Sequence, residues 1–188
     1  MQPTRFQAEL PDWVGPFVRD CPQTFADGPE RMALAIELAS RNVRSGTGGP
    51  FGAAIFELPS GRLVSVGVNV VVASGLSLAH AEIMALALAQ RAAGVYSLAR
   101  SGTAHQLVTS CEPCAMCFGA LPWAGLTSLV CGARAEDAIA VGFDEGPKTE
   151  HWIAALRSRG ISVETDVLRA DAVAALRAYA ESGGVLYG

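Results

Sequence analysis

Two short stretches carry residues able to do chemistry together. In "LAHAEIMALALAQ", residues 78–90, His80 and Glu82 stand at the head of a segment that is otherwise almost wholly apolar. In "CEPCAMC", residues 111–117, Cys114 and Cys117 are three apart and follow Pro113. Positions three apart share a helix face, so the two cysteines reach one metal ion, and Pro113 suits a first-turn position where the missing N–H is not needed. Adding His80 makes a Cys2His set, the three-ligand arrangement that leaves a fourth zinc position open for water. Helix amino termini carry partial positive charge and unpaired N–H groups, which favour the thiolate. Two thiolates cancel the formal charge of zinc, so such a water needs a base nearby. Glu82, two residues past His80, is placed to take its proton and deliver it to a substrate ring nitrogen and then to a departing group. That chemistry is hydrolysis.

Each motif alone has ordinary explanations. An isolated H-x-E is commonly a surface pair or a helix-end contact, and an isolated C-x-x-C is often structural zinc or redox chemistry. Together, in the order H-A-E then P-C-x-x-C, each opening a helix after a strand, they match the signature of zinc nucleobase deaminases. Five cysteines, an odd number, do not make a disulfide framework. Cys111 lies three before Cys114, yet it precedes Pro113 at a strand end and reads as no ligand. Cys21 and Cys131 read as an arm residue and a buried strand residue, His105 and His151 as surface or loop residues.

The elements that must bring the two helix heads together follow from periodicity and breakers. Residues 1–28, rich in Pro, Asp and Gly, are expected to form an irregular arm; residues 29–188 form the domain, with Asp27, Pro29 and Glu30 starting its first helix. That helix, "PERMALAIELASRNVR", stops at "SGTGGP". "FGAAIFEL" and "RLVSVGVNVVV" around "PSG" read as a β-hairpin. Thereafter helices and strands alternate: helix "AHAEIMALALAQRAAG", strand "HQLVTS", a helix "CAMCFGALPWAG" interrupted near Pro122, strand "TSLVCGA", two short helices, strand "ISVETDVL" and helix "DAVAALRAYAES". A hairpin followed by alternation implies an α/β sheet covered on both faces.

Composition narrows the partners. The chain of 188 residues is 51% apolar and 17% charged, a mix that folds around a core. A formal charge of −4 and a single lysine, Lys148, exclude a phosphate-binding face, so nucleic acid is not expected as a partner. The apolar stretches are broken by Asn, Ser and Gly, and the amino terminus lacks the apolar centre of a secretory signal, so no membrane association is expected and the cytoplasm is the expected location.

With "GGPFGAAI" at 48–55, "AHAEIMAL" at 79–86, "TSCEPCAMCFGAL" at 109–121 and "VGFDEG" at 141–146, the sequence resembles the cytidine deaminase superfamily, and within it the bacterial guanine deaminase branch. The resemblance spans roughly residues 29–188. It implies a three-layer α/β/α sandwich with a mixed five-stranded sheet, one zinc per chain, and a homodimer in which the carboxy-terminal segment 183–188 covers an active site, its own or, exchanged, that of the partner. Tyr187 is then the lid residue. Asn69 matches the family's substrate amide, and Phe51 an aromatic that stacks on the substrate ring. Trp123 is expected to wall the pocket, and backbone around Ala81 to contact substrate. For Phe51 and Trp123 the alternative is ordinary packing, for Asn69 a strand-end asparagine in a turn, and for the segment with Tyr187 a frayed apolar tail. Glu145, with Asp144 beside it, matches an acidic residue that assists proton movement around the amino group; an ordinary solvated turn is the alternative.

The activity implied is hydrolysis of guanine to xanthine and ammonia. Ammeline or another amino-triazine, guanosine, cytosine and pterins share the N=C–NH2 pattern. A tRNA adenosine deaminase has the same two motifs but needs a basic face. A non-catalytic zinc module needs a fourth protein ligand and has no use for Glu82.

Overall fold

The computed structural model describes residues 4–26 and 28–187. In chain order the elements are α1 (Val14–Asp20), α2 (Gly28–Arg44), β1 (Gly52–Glu57), β2 (Leu63–Val68), α3 (Val71–Ser74), α4 (Ala81–Ala93) and a 3-10 turn (Leu98–Arg100), followed by β3 (His105–Cys111), α5 (Ala115–Ala124), β4 (Ser128–Ala133), α6 (Ala135–Ala140), α7 (Trp152–Arg157), β5 (Ser162–Glu164) and α8 (Arg169–Glu181). The strands make one sheet in the order β2-β1-β3-β4-β5. β1 runs antiparallel to both β2 and β3, whereas β3, β4 and β5 are parallel, so the expected mixed five-stranded sheet is present.

Successive strand residues point to opposite faces, and both faces here are apolar. Ala54, Phe56, Val108 and Val130 pack on one side with Met32 and Leu38 of α2 and Leu176 of α8. Ala53, Ile55, Leu107 and Leu129 pack on the other with Ala85 of α4, Leu121 of α5 and Leu156 of α7. The result is the three-layer sandwich. Helices α2 and α4 lie with their backbones hard against the hairpin. A Cβ on Gly52 would stand 2.3 Å from the Ala35 carbonyl oxygen, and one on Gly67 2.1 Å from that of Ala81. Glycine at position 67 therefore sets how deeply the head of α4 sits on the sheet. Among the described residues no helix is long and apolar enough to cross a membrane.

Four expectations need correction. The arm is not wholly irregular: α1 lies in it, with Trp13 edge-on to Phe17 and the Arg41 guanidinium over both rings. Asp27 lies outside the described residues. Strand β2 ends at Val68 and does not continue through "NVVV": Asn69 Oδ1 accepts the Val71 N–H at 3.2 Å and the helical turn Val71–Ser74 follows. Helix α5 runs through Pro122 without a break: the proline stands in the last turn, so only the bond to the Phe118 carbonyl is forgone. His105 is not a surface residue. It opens the central strand β3 at 3% exposure, and burial holds its imidazole below the ordinary histidine range, hence neutral. His151, in contrast, is exposed, and Cys131 is buried in β4.

Candidate active site

The two helix heads do meet, just beyond the carboxyl end of β3, where the sheet changes from antiparallel to parallel pairing. His80 is the N-cap of α4 and Cys114 the N-cap of α5, both with extended backbone and neither using its side chain as a cap. Helix α5 begins at Ala115, so Pro113 stands before the cap and not in the first turn. The backbone of each cap is pinned: the His80 carbonyl accepts the Met84 N–H at 2.9 Å, and the Cys114 carbonyl accepts that of Phe118 at 2.8 Å. Both side chains are thereby free to face each other.

His80 Nδ1 lies 3.5 Å from Cys114 Sγ and 3.6 Å from Cys117 Sγ. All three ligand atoms fall within 4.8 Å of one another, a spacing that fits one zinc ion. Their protonation points the same way. The S–H of Cys117, joined by the His80 ring and working against burial, pulls Cys114 down to about 4. Cys117 is pushed far up by that same bond and by burial. Two buried thiols sharing one negative charge are what a divalent cation resolves, since it holds both as thiolates. His80 is lowered by burial, but the Cys114 bond and the charges of Glu82, Cys114 and Glu145 outweigh this, and its net shift is upward.

Glu82, in the first turn of α4, is buried; desolvation and the Cys114 thiolate push its carboxyl up, against the pull of His80. Glu145 arrives from the loop after α6. Its carbonyl accepts the Ala115 N–H at 2.8 Å, which docks that loop on the head of α5. Its side chain is buried, Oε2 has no partner among the described residues, and desolvation with the nearby charges of Cys114 and Glu82 raises it to about 8. Asp144 is exposed and spends Oδ1 on the Gly146 N–H at 2.8 Å, holding the turn. Lys148 clamps the same loop: Nζ donates to the Pro113 carbonyl at 2.8 Å, pairs with Glu112 at 3.5 Å and lies over the Trp152 ring at 4.6 Å.

Asn69 is buried directly after β2. Its Oδ1 accepts the Val71 N–H at 3.2 Å and the Tyr187 hydroxyl, which fixes the amide so that Nδ2 is left without a partner among the described residues. Tyr187 belongs to the same chain, so the segment 183–187 lies over its own site. Phe143 packs edge-on against Phe51 at 4.9 Å and against Tyr187 at 5.5 Å. An inner cavity of about 20 Å³ is lined by His80, Glu82, Cys114, Glu145, Phe51 and Tyr187 among others, and an outer vestibule of about 370 Å³ continues from it past Met116 and Pro147.

The structure thus brings together His80, Cys114, Cys117, Glu82, Glu145, Asp144, Phe51, Asn69 and Tyr187, with Ala81 buried next to His80. It does not bring Trp123. Buried Cys117, Leu121 and Ala124 define the inner stripe of α5, and Trp123 falls about 120° from it by helical geometry, 82% exposed beside Ile83 and Tyr96. Sequence reasoning missed Phe143, Glu112 and Lys148 around the cavity. Being the one lysine of the chain was the available signal for Lys148; Phe143 and Glu112 stood inside the stretches "VGFDEG" and "TSCEPCAMCFGAL", beside residues singled out for other roles.

Residues 28–133 match the cytidine and deoxycytidylate deaminase zinc-binding region, which contains the whole ligand triad and Glu82. A solved chain in complex with 2,6-diaminopurine is 46% identical over 97% of this chain and 96% of its own length, with a TM-score of 0.90. Guanine deaminase from Nitrosomonas europaea is 44% identical over 96% of this chain and 99% of its own, again at TM-score 0.90. Guanine deaminase of Bacillus subtilis (strain 168) is 40% identical over 114 residues, 61% of this chain and 69% of the relative. With the triad at two facing helix heads, a buried carboxyl two residues past the histidine and the sandwich beneath them, this chain belongs to the zinc-dependent cytidine and deoxycytidylate deaminase family.

Proposed function

We propose that the protein hydrolyses guanine to xanthine and ammonia. The observation that carries the reading is one buried chamber in which the His80, Cys114 and Cys117 triad meets two carboxyls, Glu82 and Glu145, under an aromatic wall. The solved relative holding 2,6-diaminopurine supports a purine-shaped substrate. Held by the triad, zinc supplies the Lewis acidity that lets water attack the amino-bearing carbon at neutral pH.

The side chains do the rest. Glu82, raised by burial, accepts one proton of the attacking water and delivers it to a ring nitrogen, then takes the proton left on the added oxygen and delivers it to the departing amine. Water and guanine go in; xanthine and ammonia leave. Glu145, which carries its proton near neutrality, faces the same amine and assists this second transfer. Asn69 offers Nδ2 as a donor to an acceptor on the ring edge, and Phe51 stacks on the ring. Asp144 holds the turn that aims Glu145.

Tyr187 lines both the inner cavity and the vestibule, so we take segment 183–187 as the lid between them, Gly188 lying outside the described residues. The proposed working form is a homodimer in the cytoplasm, serving purine catabolism; five unpaired cysteines agree with a reducing compartment. Domain 29–188 carries the chemistry.

The test is ammonia release from guanine by the zinc-loaded protein. Glu82→Gln is expected to lower kcat by about 10³-fold while zinc per chain is unchanged. A parent that holds one zinc and leaves guanine untouched overturns the guanine assignment. A Glu82→Gln variant with parental turnover overturns the role of Glu82.

A further inference from the structure

One chain of hydrogen bonds runs from the arm to the backbone of Asn69. Trp13, the N-cap of α1, donates its Nε1–H to Thr47 Oγ1 at 3.0 Å. Thr47 donates its hydroxyl to Asn42 Oδ1 at 2.7 Å. Asn42 Nδ2 then donates to the carbonyl oxygens of Gly49 at 2.9 Å and Asn69 at 2.8 Å. Asn42 is fully buried, and its amide spends both Nδ2 and Oδ1 on this chain. A hydroxyl whose oxygen accepts a bond becomes a better donor, so the links strengthen one another in one direction, from indole to Asn69.

The far end has no slack. A Cβ on Gly48 would stand 1.9 Å from the Asn69 carbonyl oxygen and 2.7 Å from Asn42 Nδ2. The Asn69 N–H is bonded to the Phe51 carbonyl at 3.1 Å. With its backbone held by Asn42 and Phe51, and its Oδ1 by Val71 and Tyr187, Asn69 has Nδ2 alone to offer. Packing by itself does not call for this: the ring of Trp13 is already engaged by Phe17 and Arg41, whereas its N–H is aimed at the one hydroxyl that leads to Asn42.

We propose that Trp13 and Thr47 are positioning residues for substrate binding: acting through Asn42, the arm fixes where the Asn69 amide meets the ring edge of the substrate. The proposal rests on Asn69 being the substrate amide. Neither residue touches the triad, Glu82 or Glu145, so their loss weakens binding and spares the chemical step.

The experiment uses the zinc-loaded full chain. With guanine, Thr47→Val and Trp13→Phe each raise KM about five-fold, the worth of one neutral hydrogen bond, with kcat within two-fold of the parent. Thr47→Ser restores the parental KM. The double variant Trp13→Phe/Thr47→Val is no worse than Thr47→Val, because both cut one chain. A second readout needs no substrate: the side-chain amide NMR signals of Asn69, assigned with Asn69→Asp, shift in Thr47→Val and Trp13→Phe and stay in place in Thr47→Ser. Additive effects, an unchanged KM, or a kcat that falls in step with melting temperature would overturn the proposal, as would unmoved Asn69 signals. If the parent leaves guanine untouched, the substrate assignment fails separately, and the NMR arm still decides the relay.

Discussion

At the residue scale, the two carboxyls of the chamber are alike in chemistry and separated by how they are held. Glu82 is fixed in the first turn of a helix on which Met84 and His80 are already bonded, so it can move little. Glu145 sits in a loop docked on α5 by its backbone carbonyl and clamped by Lys148, with Oε2 buried and without a partner among the described residues. Burial raises both, because removing water penalises the charged form. Glu145→Gln keeps the shape and the neutral character of the protonated acid but cannot pass a proton on. We expect about a 100-fold loss in kcat with zinc retained, read by ammonia release and metal analysis; activity within two-fold of the parent would reduce Glu145 to a filler of the loop. The zinc ligands and Glu82 were legible as spaced residue types. Phe143 stood in the quoted stretch "VGFDEG", but nothing in that stretch says which rings it packs against.

At the element scale, the site depends on how closely helices approach the sheet, and glycine decides that. Gly67→Ala puts a methyl 2.1 Å from the Ala81 carbonyl and 2.6 Å from the Ala85 nitrogen, lifting the head of α4 off β2. We expect a loss of about 2 kcal/mol in urea unfolding, as for other overpacked sites, together with faster loss of zinc to a chelator. Gly119→Ala has the opposite sign. In the middle of α5 its Cβ meets nothing within 4 Å, so the substitution should stabilise by about 0.5–1 kcal/mol with unchanged zinc retention. Equal effects from both would show that the close approach at Gly67 does not matter. Element types were readable from periodicity; the run of α5 through Pro122 and the early end of β2 were not, because the first depends on where in the last turn the proline falls and the second on which partner the Asn69 side chain takes. Arg31 shows the same limit. It stacks on Phe56 at 5.2 Å and donates to the Phe25 carbonyl at 3.0 Å and to Gln106 at 2.9 Å, a buried role that no charge pattern announces.

At the scale of the whole molecule, zinc joins elements distant in sequence, since His80 and Cys114 belong to different helices and β3 lies between them. A ligand that binds only the folded state at 1,000 times its Kd adds about 4 kcal/mol. For a domain of this size that is roughly 10 °C in melting temperature, so removal of zinc by a chelator should lower Tm by about 10 °C and re-addition should restore it, followed by calorimetry. A Tm indifferent to zinc would mean that the two helix heads are held by packing alone. By itself, the sequence determined the residue types and spacings: a Cys2His set with an adjacent carboxylate, a hairpin followed by alternating helices and strands, and a net acidic chain, all of which are local or compositional properties. Only the tertiary structure decided that His105 is core, that Trp123 faces away from the cavity, that Tyr187 reaches back to Asn69 and that the arm is wired to the same asparagine. Those outcomes depend on which faces meet across the sheet, and contacts between residues far apart in sequence leave no mark on the spacing of either partner.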